Sequence, residues 1–159
     1  MTNIKDPENT LIMETSKGKV VIGLRPDLAP KHVERIKKLA REGFYDGVVF
    51  HRVIDGFMAQ TGCPEGTGMG GSNYPDLKAE FNAEKHVRGV CSMARSTRPD
   101  SANSQFFICF DDATFLDNKY TVWGKVLTGM EHIDELERGE PVAKPDKIRS
   151  LKVAADVAA

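Results

Sequence analysis

The sequence predicts a mainly β fold, a closed eight-stranded antiparallel β-barrel capped by two α-helices. Short runs rich in β-branched and aromatic residues number about eight, and only two segments have helical periodicity. Most of the strand-like runs follow one another directly, which disfavours a doubly wound parallel sheet. Closing such strands into a barrel removes their exposed edges, and at about eight strands the side chains just fill the interior.

The first elements are a hairpin and a helix. TLIMET and KVVIGL are joined by SKG, whose glycine suits a tight turn. After the proline-bounded RPDLAP, the segment KHVERIKKLAREG has helical spacing and is followed by a glycine stop; its apolar positions are Val33, Ile36, Leu39 and Ala40. We interpret its basic residues as a solvated face rather than a site for an anionic partner.

The remaining strands and the second helix follow. VVFHRVI and FMAQTG flank Asp55-Gly56, a hairpin signal, and a glycine-rich loop, GCPEGTGMGGSNYPD, comes next. GVCSMA, SQFFICF and TVWGKVL are three further strand-like runs, and IRSLKVAADV is the last. Between them, GMEHIDELERG predicts a helix with four residues in register: Met130, Ile133, Leu136 and Glu137.

Length and charge restrict the function classes. The 159 residues predict one domain spanning 1–159. The formal net charge is -1 with both signs interspersed, which argues against a nucleic-acid-binding protein. No apolar run approaches the ~20 residues of a membrane helix, and the N-terminus does not resemble a signal peptide. We therefore expect a cytoplasmic protein, and a monomer because no long exposed apolar stripe is evident.

Several motifs are better explained by structure than by chemistry. Gly66, Gly68 and Gly71 match G-x-G-x-x-G, but SNYPD follows and cannot begin the helix that a nucleotide site needs. Ser104 lies in no nucleophile elbow, which leaves hydrolysis without support. The three cysteines and four histidines lack metal-ligand spacing, so no metal is predicted. Cys91 and Cys109 lie inside apolar runs and are expected as buried free thiols. His51 is interpreted as a neutral histidine, satisfied in or under the barrel.

Some large apolar side chains are expected on the outer face of the barrel, where they could form a binding site. Phe106 and Phe107 are adjacent on one strand, so they face opposite sides of the sheet. The side chains of Phe57 and Met58 would also point to opposite faces of a strand, unless the turn at Gly56 rotates them. One large apolar surface is therefore expected on the exterior beside a few polar side chains, the ordinary form of a binding site.

Five blocks of the sequence share an order and spacing with a known family: FHRVIDGFMAQTG, GTGMGGSNYPDLKAEF, GVCSMAR, NSQFFICF and FLDNKYTVWGKV. Together they resemble the cyclophilins, the cyclosporin-binding peptidyl-prolyl cis-trans isomerases. The resemblance covers nearly the whole chain, and the chain is most similar to the compact cytoplasmic bacterial members of the family. It implies the same capped barrel, an isomerase that assists protein folding and needs no cofactor, and proline-containing peptides and unfolded or partly folded proteins as partners.

The resemblance also implies a set of site residues. Arg52 matches the catalytic arginine, and Gln60 matches the glutamine that orients it and bonds the substrate backbone. The proline pocket is implied at four positions, namely Phe57, Met58, Phe107 and Leu116. The strand edge that holds the peptide and a nearby polar wall are implied at three more, namely Ala94, Arg95 and Gln105.

Two positions depart from the best-known eukaryotic pattern. Phe115 replaces a tryptophan and Tyr120 replaces a histidine, as in bacterial members that still isomerise proline. Phenylalanine has no N–H to donate, so cyclosporin is expected to bind weakly. Loss of one hydrogen bond should cost about 0.5–1.5 kcal/mol of binding free energy.

Two other functions use similar folds. A non-catalytic module that binds or scaffolds proline peptides would use the same groove, but it needs no charged donor at position 52. A small-molecule carrier would need an open lumen, whereas the bulky strand residues predict a filled interior.

Overall fold

The computed structural model describes residues 5–157, so both ends of the domain expected over 1–159 lie outside the described part. Two α-helices are present, α1 (Pro30–Arg41) and α2 (Met130–Asp134). The strands are β1 (Thr10–Thr15), β2 (Gly18–Leu24), β3 (Arg52–Ile54), β4 (Met58–Thr61), β5 (Val90–Met93), β6 (Phe106–Cys109), β7 (Val122–Thr128) and β8 (Ile148–Val153). The predicted mainly β architecture with two helices is confirmed.

The strands form one antiparallel sheet in the order β3-β4-β6-β5-β7-β2-β1-β8. The predicted closed barrel is wrong, because in the described chain no ladder joins β3 to β8 and the sheet is an open half-barrel. The segment before β3 approaches the start of β8 through an isolated bridge between Val49 and Lys147 and through backbone hydrogen bonds on either side of it. The outer edge of β3 is occupied instead by a loop, in which Gly139 bridges to Val53.

The concave side of the sheet is filled by side chains. Phe106 and Trp123 are fully buried and meet edge to face, with ring centroids 5.3 Å apart. Tyr45 packs on the other side of Phe106 at 5.6 Å and donates its hydroxyl proton to the carbonyl of Ser104 at 2.8 Å. This packing agrees with the predicted filled interior.

The first helix buries the apolar positions that its periodicity predicts. Val33, Ile36, Leu39 and Ala40 are all buried, and the helix packs against β7 and β8. Its basic residues are partly neutralised within the chain, since Lys37 and Arg41 both form ion pairs with Glu8, a residue before β1.

The second helix is shorter than predicted. It begins after Gly129, whose φ of 90° places it in the left-handed region that glycine tolerates, and it ends at Asp134. Leu136 is buried as expected, but Glu137 is exposed and lies beyond the helix. The guanidinium of Arg138 donates to the carbonyls of Asp134 and Leu136, which satisfies the end of the helix without further turns.

The described residues hold no helix with the length and apolarity needed to cross a bilayer. They also hold no group of three or more His, Cys, Asp or Glu side chains placed to bind a metal ion. The three cysteines, Cys63, Cys91 and Cys109, are free and buried, which was predicted for Cys91 and Cys109.

Candidate functional site

A cleft of about 130 Å³ opens on the convex side of the sheet, beside β3, β4 and β6. Most of the site residues implied by the sequence meet there, and two do not reach the lining, Phe115 and Gln105. The lining residues are Arg52, Phe57, Met58, Gln60, Ala94, Arg95, Phe107, Leu116 and Tyr120.

Strand β6 supplies the floor of this cleft. Phe106 points into the concave core, whereas its neighbour Phe107 packs with Met58 and Leu116 in a second apolar cluster on the other face. The two rings therefore face opposite sides, as predicted. Phe107 is only 4% exposed and meets the ring of Tyr120 edge to face at 5.8 Å, so the floor is held in place on one side by an aromatic contact.

The turn between β3 and β4 brings Phe57 and Met58 to the same cleft. Strand alternation would separate them, but Phe57 belongs to the turn and β4 begins only at Met58. Gly56 has a φ of 72°, a backbone conformation that residues with a side chain rarely adopt. It reverses the chain just before the two apolar residues. The rotation at this glycine is therefore what completes the apolar wall.

Strand register places the polar groups beside the apolar floor. Arg52 lies opposite Gln60 in the β3–β4 ladder, and Gln60 lies opposite Phe107 in the β4–β6 ladder. Residues paired in this way share one face of a sheet, so the guanidinium, the amide and the ring are lateral neighbours. Nη1 of Arg52 donates to Oε1 of Gln60 at 3.2 Å.

A relay of amides ties this pair to the glycine-rich loop. Nε2 of Gln60 donates to Oε1 of Gln105 at 2.9 Å, and Nε2 of Gln105 donates to the carbonyls of Gly68 and Gly70 at 3.0 and 2.9 Å. Because the loop presents carbonyl acceptors to Gln105, the relay fixes which end of each amide faces the arginine. The loop is thus more than the exposed connection that its glycines suggested.

Gln105 lines a neighbouring groove rather than the cleft itself. This groove has a volume of about 460 Å³ and shares Gln60, Ala94 and Arg95 with the cleft. The side chain of Arg95 lies between the cleft and the groove. Its guanidinium is 4.6 Å from the ring centroid of Tyr120 and donates to the carbonyl of Lys119 at 2.6 and 2.9 Å. The groove is therefore continuous with the cleft at these shared residues.

Phe115 stands at the rim. It lies in the 3-10 turn Thr114–Leu116, is 64% exposed, and packs on Phe57 with ring centroids 5.6 Å apart. It therefore extends the apolar wall outward without lining the cleft.

The sequence did not indicate the polar support beneath the floor. The ring of His86 stacks on Phe107 at 6.1 Å, with Nδ1 3.0 Å from Asp117 and Nε2 2.9 Å from the hydroxyl of Ser92. Burial lowers the pKa of His86, although its hydrogen bond to the carboxylate of Asp117 opposes that shift. Ser92 is fully buried, so this Asp-His-Ser arrangement is a structural support and not an accessible nucleophile.

A carboxylate next to the arginine was also missed. Nε of Arg52 donates to Oε2 of Glu140 at 2.6 Å, across 88 positions of sequence. No local pattern marks such a contact, because it depends on the course of the loop before β8.

The structure corrects one expectation for the residue before the arginine. His51 is buried as predicted, but among the described residues neither ring nitrogen has a hydrogen-bond partner, so it is not satisfied by the protein. Burial lowers its pKa, and the charge of Arg52 lowers it further.

Known proteins are similar to this chain in both sequence and architecture. Residues 10–153 match the family model described as cyclophilin type peptidyl-prolyl cis-trans isomerase/CLD. A probable peptidyl-prolyl cis-trans isomerase of Brucella suis is 55% identical over 95% of this chain and 85% of its own length. A peptidyl-prolyl cis-trans isomerase of Helicobacter pylori is 45% identical over 80% of each chain.

Solved structures with a similar fold belong to the same family as these relatives. A cyclophilin from Hirschia baltica superposes with a TM-score of 0.89 at 34% identity, covering 96% of this chain and 76% of the other. A cyclophilin type isomerase of Cryptosporidium parvum, crystallised in the presence of the dipeptide Ala-Pro, gives 0.85 at 27% identity and covers 91% of this chain and 98% of the other. This chain belongs to the cyclophilin-type peptidyl-prolyl cis-trans isomerases.

Proposed function

We propose that the cleft beside β3, β4 and β6 is where this isomerase rotates X-Pro bonds, with Arg52 as the catalytic group. One observation carries the proposal: a guanidinium held by Gln60 stands at the edge of an apolar cleft floored by Phe107. The apolar wall receives the proline ring, and the polar edge acts on the amide that joins it to the preceding residue.

The chemistry requires no bond to be broken. Amide resonance sets a rotation barrier of about 18–20 kcal/mol, and the spontaneous change takes tens of seconds or more. In the twisted transition state the prolyl nitrogen becomes pyramidal and gains a lone pair that the planar amide lacks. A donor aimed at that lone pair binds the transition state more strongly than the ground state, which is the requirement for catalysis.

The geometry leaves one guanidinium nitrogen for this task. In the described part of the chain Nε of Arg52 is engaged by Glu140 and Nη1 by Gln60, while Nη2 has no hydrogen-bond partner. Arginine suits the role because it stays charged and presents its donors in a fixed plane. We assign Nη2 as the donor to the prolyl nitrogen and Gln60 as the residue that orients it.

The arginine does not act alone. An acceleration of about 10⁵ requires roughly 7 kcal/mol, whereas one charged hydrogen bond contributes about 1.5–3 kcal/mol. The remainder is assigned to a preorganised site that excludes water from the proline ring. The relay through Gln60 and Gln105 supplies that preorganisation, because each donor is already fixed before substrate arrives.

The proposed substrates are proline-containing peptides and unfolded or partly folded proteins. The Ala-Pro dipeptide used with the Cryptosporidium parvum relative supports a proline ligand for this fold. Ala94 and Arg95 border both the cleft and the larger groove, so they are proposed to hold the extended chain on one side of the proline.

A protease-coupled assay on an X-Pro peptide tests the role of Arg52. Arg52→Ala should lose most of the activity while the protein stays folded, and Arg149→Ala, which removes an exposed arginine on the opposite edge strand, should match wild type. Activity of Arg52→Ala within about twofold of wild type would refute the assignment, since at least ~1.5 kcal/mol is expected from the lost bond. Peptide binding without turnover in wild type would identify a non-catalytic module instead.

A further inference from the structure

The loop before β8 delivers a carboxylate to the arginine. Oε2 of Glu140 accepts from Nε of Arg52 at 2.6 Å, on the side of the guanidinium away from Gln60. Both side chains are partly exposed, at 39% for the arginine and 57% for the glutamate. Exposed ion pairs contribute little to folding stability, so fold stability does not explain the contact.

Backbone hydrogen bonds fix where this carboxylate stands. Val53 and Gly139 exchange two N–H···O bonds of 2.8 Å, and the N–H of Val142 donates to the carbonyl of His51 at 3.1 Å. These bonds lie on the two neighbours of the arginine in the chain. Glu140 is held between them, and its carboxylate has a preset position relative to β3.

Two contacts on a planar group determine the direction of the third nitrogen. Because Nε and Nη1 of Arg52 are both engaged, the plane of the guanidinium and its rotation within that plane are fixed. Without Glu140, only the bond to Gln60 would remain and the plane would be free to rotate about it. Reactions that depend on orientation lose rate steeply when a catalytic group is misplaced.

We propose that Glu140 is a positioning residue of the isomerase reaction, which holds Arg52 so that Nη2 faces the cleft. This proposal rests on the proposed role of Arg52. Glu140 does not itself line the cleft, so it acts through the arginine and not on the bound proline. Its loss should therefore lower kcat and leave KM nearly unchanged.

Exchange NMR on an Ala-Pro peptide over a range of concentrations separates kcat from KM. Glu140→Ala should lower kcat by about three- to tenfold with KM within about twofold. Glu140→Gln keeps an acceptor oxygen and should retain more kcat than Glu140→Ala. An unchanged kcat in Glu140→Ala, or a loss that appears only in KM, overturns the proposal.

A matched control separates the guanidinium contact from anchoring of the loop. Asp55 accepts from Nε of Arg138 at 3.1 Å, which is a second exposed ion pair between the β3–β4 turn and the same loop. Asp55→Ala should leave kcat within about 1.5-fold of wild type, because this exposed pair contributes little. An equal loss in Asp55→Ala and Glu140→Ala would assign the effect to loop docking and overturn the proposal.

A double-mutant cycle tests whether the two residues act as a unit. Arg52→Lys has no Nε for the carboxylate to fix, so adding Glu140→Ala to it should change kcat by less than about twofold. The same three- to tenfold loss in both backgrounds overturns the positioning role. Arg52→Lys with wild-type activity would instead refute the role of Arg52 itself, so the two failures are distinguishable.

Discussion

Acidification from about pH 7.5 to about pH 5.5 should destabilise this protein, because three histidines are buried. His32, His51 and His86 are at most 6% exposed. Burial is the largest influence on each and lowers each pKa, although carboxylates near His32 and His86 oppose the shift. These groups bind protons more readily in the unfolded chain, so the stability they contribute is present above the unfolded pKa and is lost as the pH falls below it.

The magnitude follows from the unfolded state. A histidine in the unfolded chain has a pKa of about 6.5, and one that stays neutral in the folded state loses about 1.4 kcal/mol of stability between about pH 7.5 and about pH 5.5. Three such residues give up to about 4 kcal/mol, a large part of a typical 5–15 kcal/mol unfolding free energy. Carboxylates contribute little in this range because their unfolded pKa values lie near 4.

Urea unfolding followed by tryptophan fluorescence measures this loss. Trp123 is the only tryptophan and is fully buried, so its emission reports the core. His51→Leu removes a ring without protein partners in the described chain, and it should reduce the pH dependence by about one third. Unfolding free energies that agree within about 1 kcal/mol at the two pH values would refute the reasoning.

Two further predictions concern the rim and the thiols. Phe115→Trp restores an N–H donor beside the cleft and should tighten cyclosporin binding by about three- to tenfold in a calorimetric titration, whereas nanomolar binding by wild type would contradict the expected weakness. Burial opposes ionisation of Cys63, but N–H groups of the glycine-rich loop 3.3 Å from its sulfur bring its pKa below the usual value. Burial instead raises the pKa of Cys109 to about 12 and raises that of Cys91 well above normal. Iodoacetamide should therefore modify Cys63 first, as read by peptide mass spectrometry, and earlier modification of either other cysteine would contradict this order.

Local patterns predicted the elements that depend on neighbouring residues. The β3–β4 hairpin follows from Asp55-Gly56, and the buried face of α1 follows from its spacing. The opposite orientations of Phe106 and Phe107 follow from strand alternation alone. The set of residues at the cleft came from the family resemblance, since no local rule joins positions 52, 107 and 116.

Features that depend on distant segments were not predictable in this way. Barrel closure failed because the outer edge of β3 pairs with the loop at Gly139, a competition invisible in either segment alone. The short α2 reflects the hydrogen bonds from Arg138 to its last carbonyls. The contacts of His86 and Glu140 join residues that are far apart or lack any motif, so only the assembled fold reveals them.

The loop along the outer margin of β3 gives this enzyme one adjustable support for the side chain of Arg52. The other neighbours of the cleft include strands β3, β4 and β6, whose substitution would disturb the sheet, whereas residues 137–147 form no strand of their own. A designer can change the side chain of Glu140 and still keep the backbone bonds at Gly139 and Val142 that anchor the segment. Turnover and fold stability should then be tunable separately.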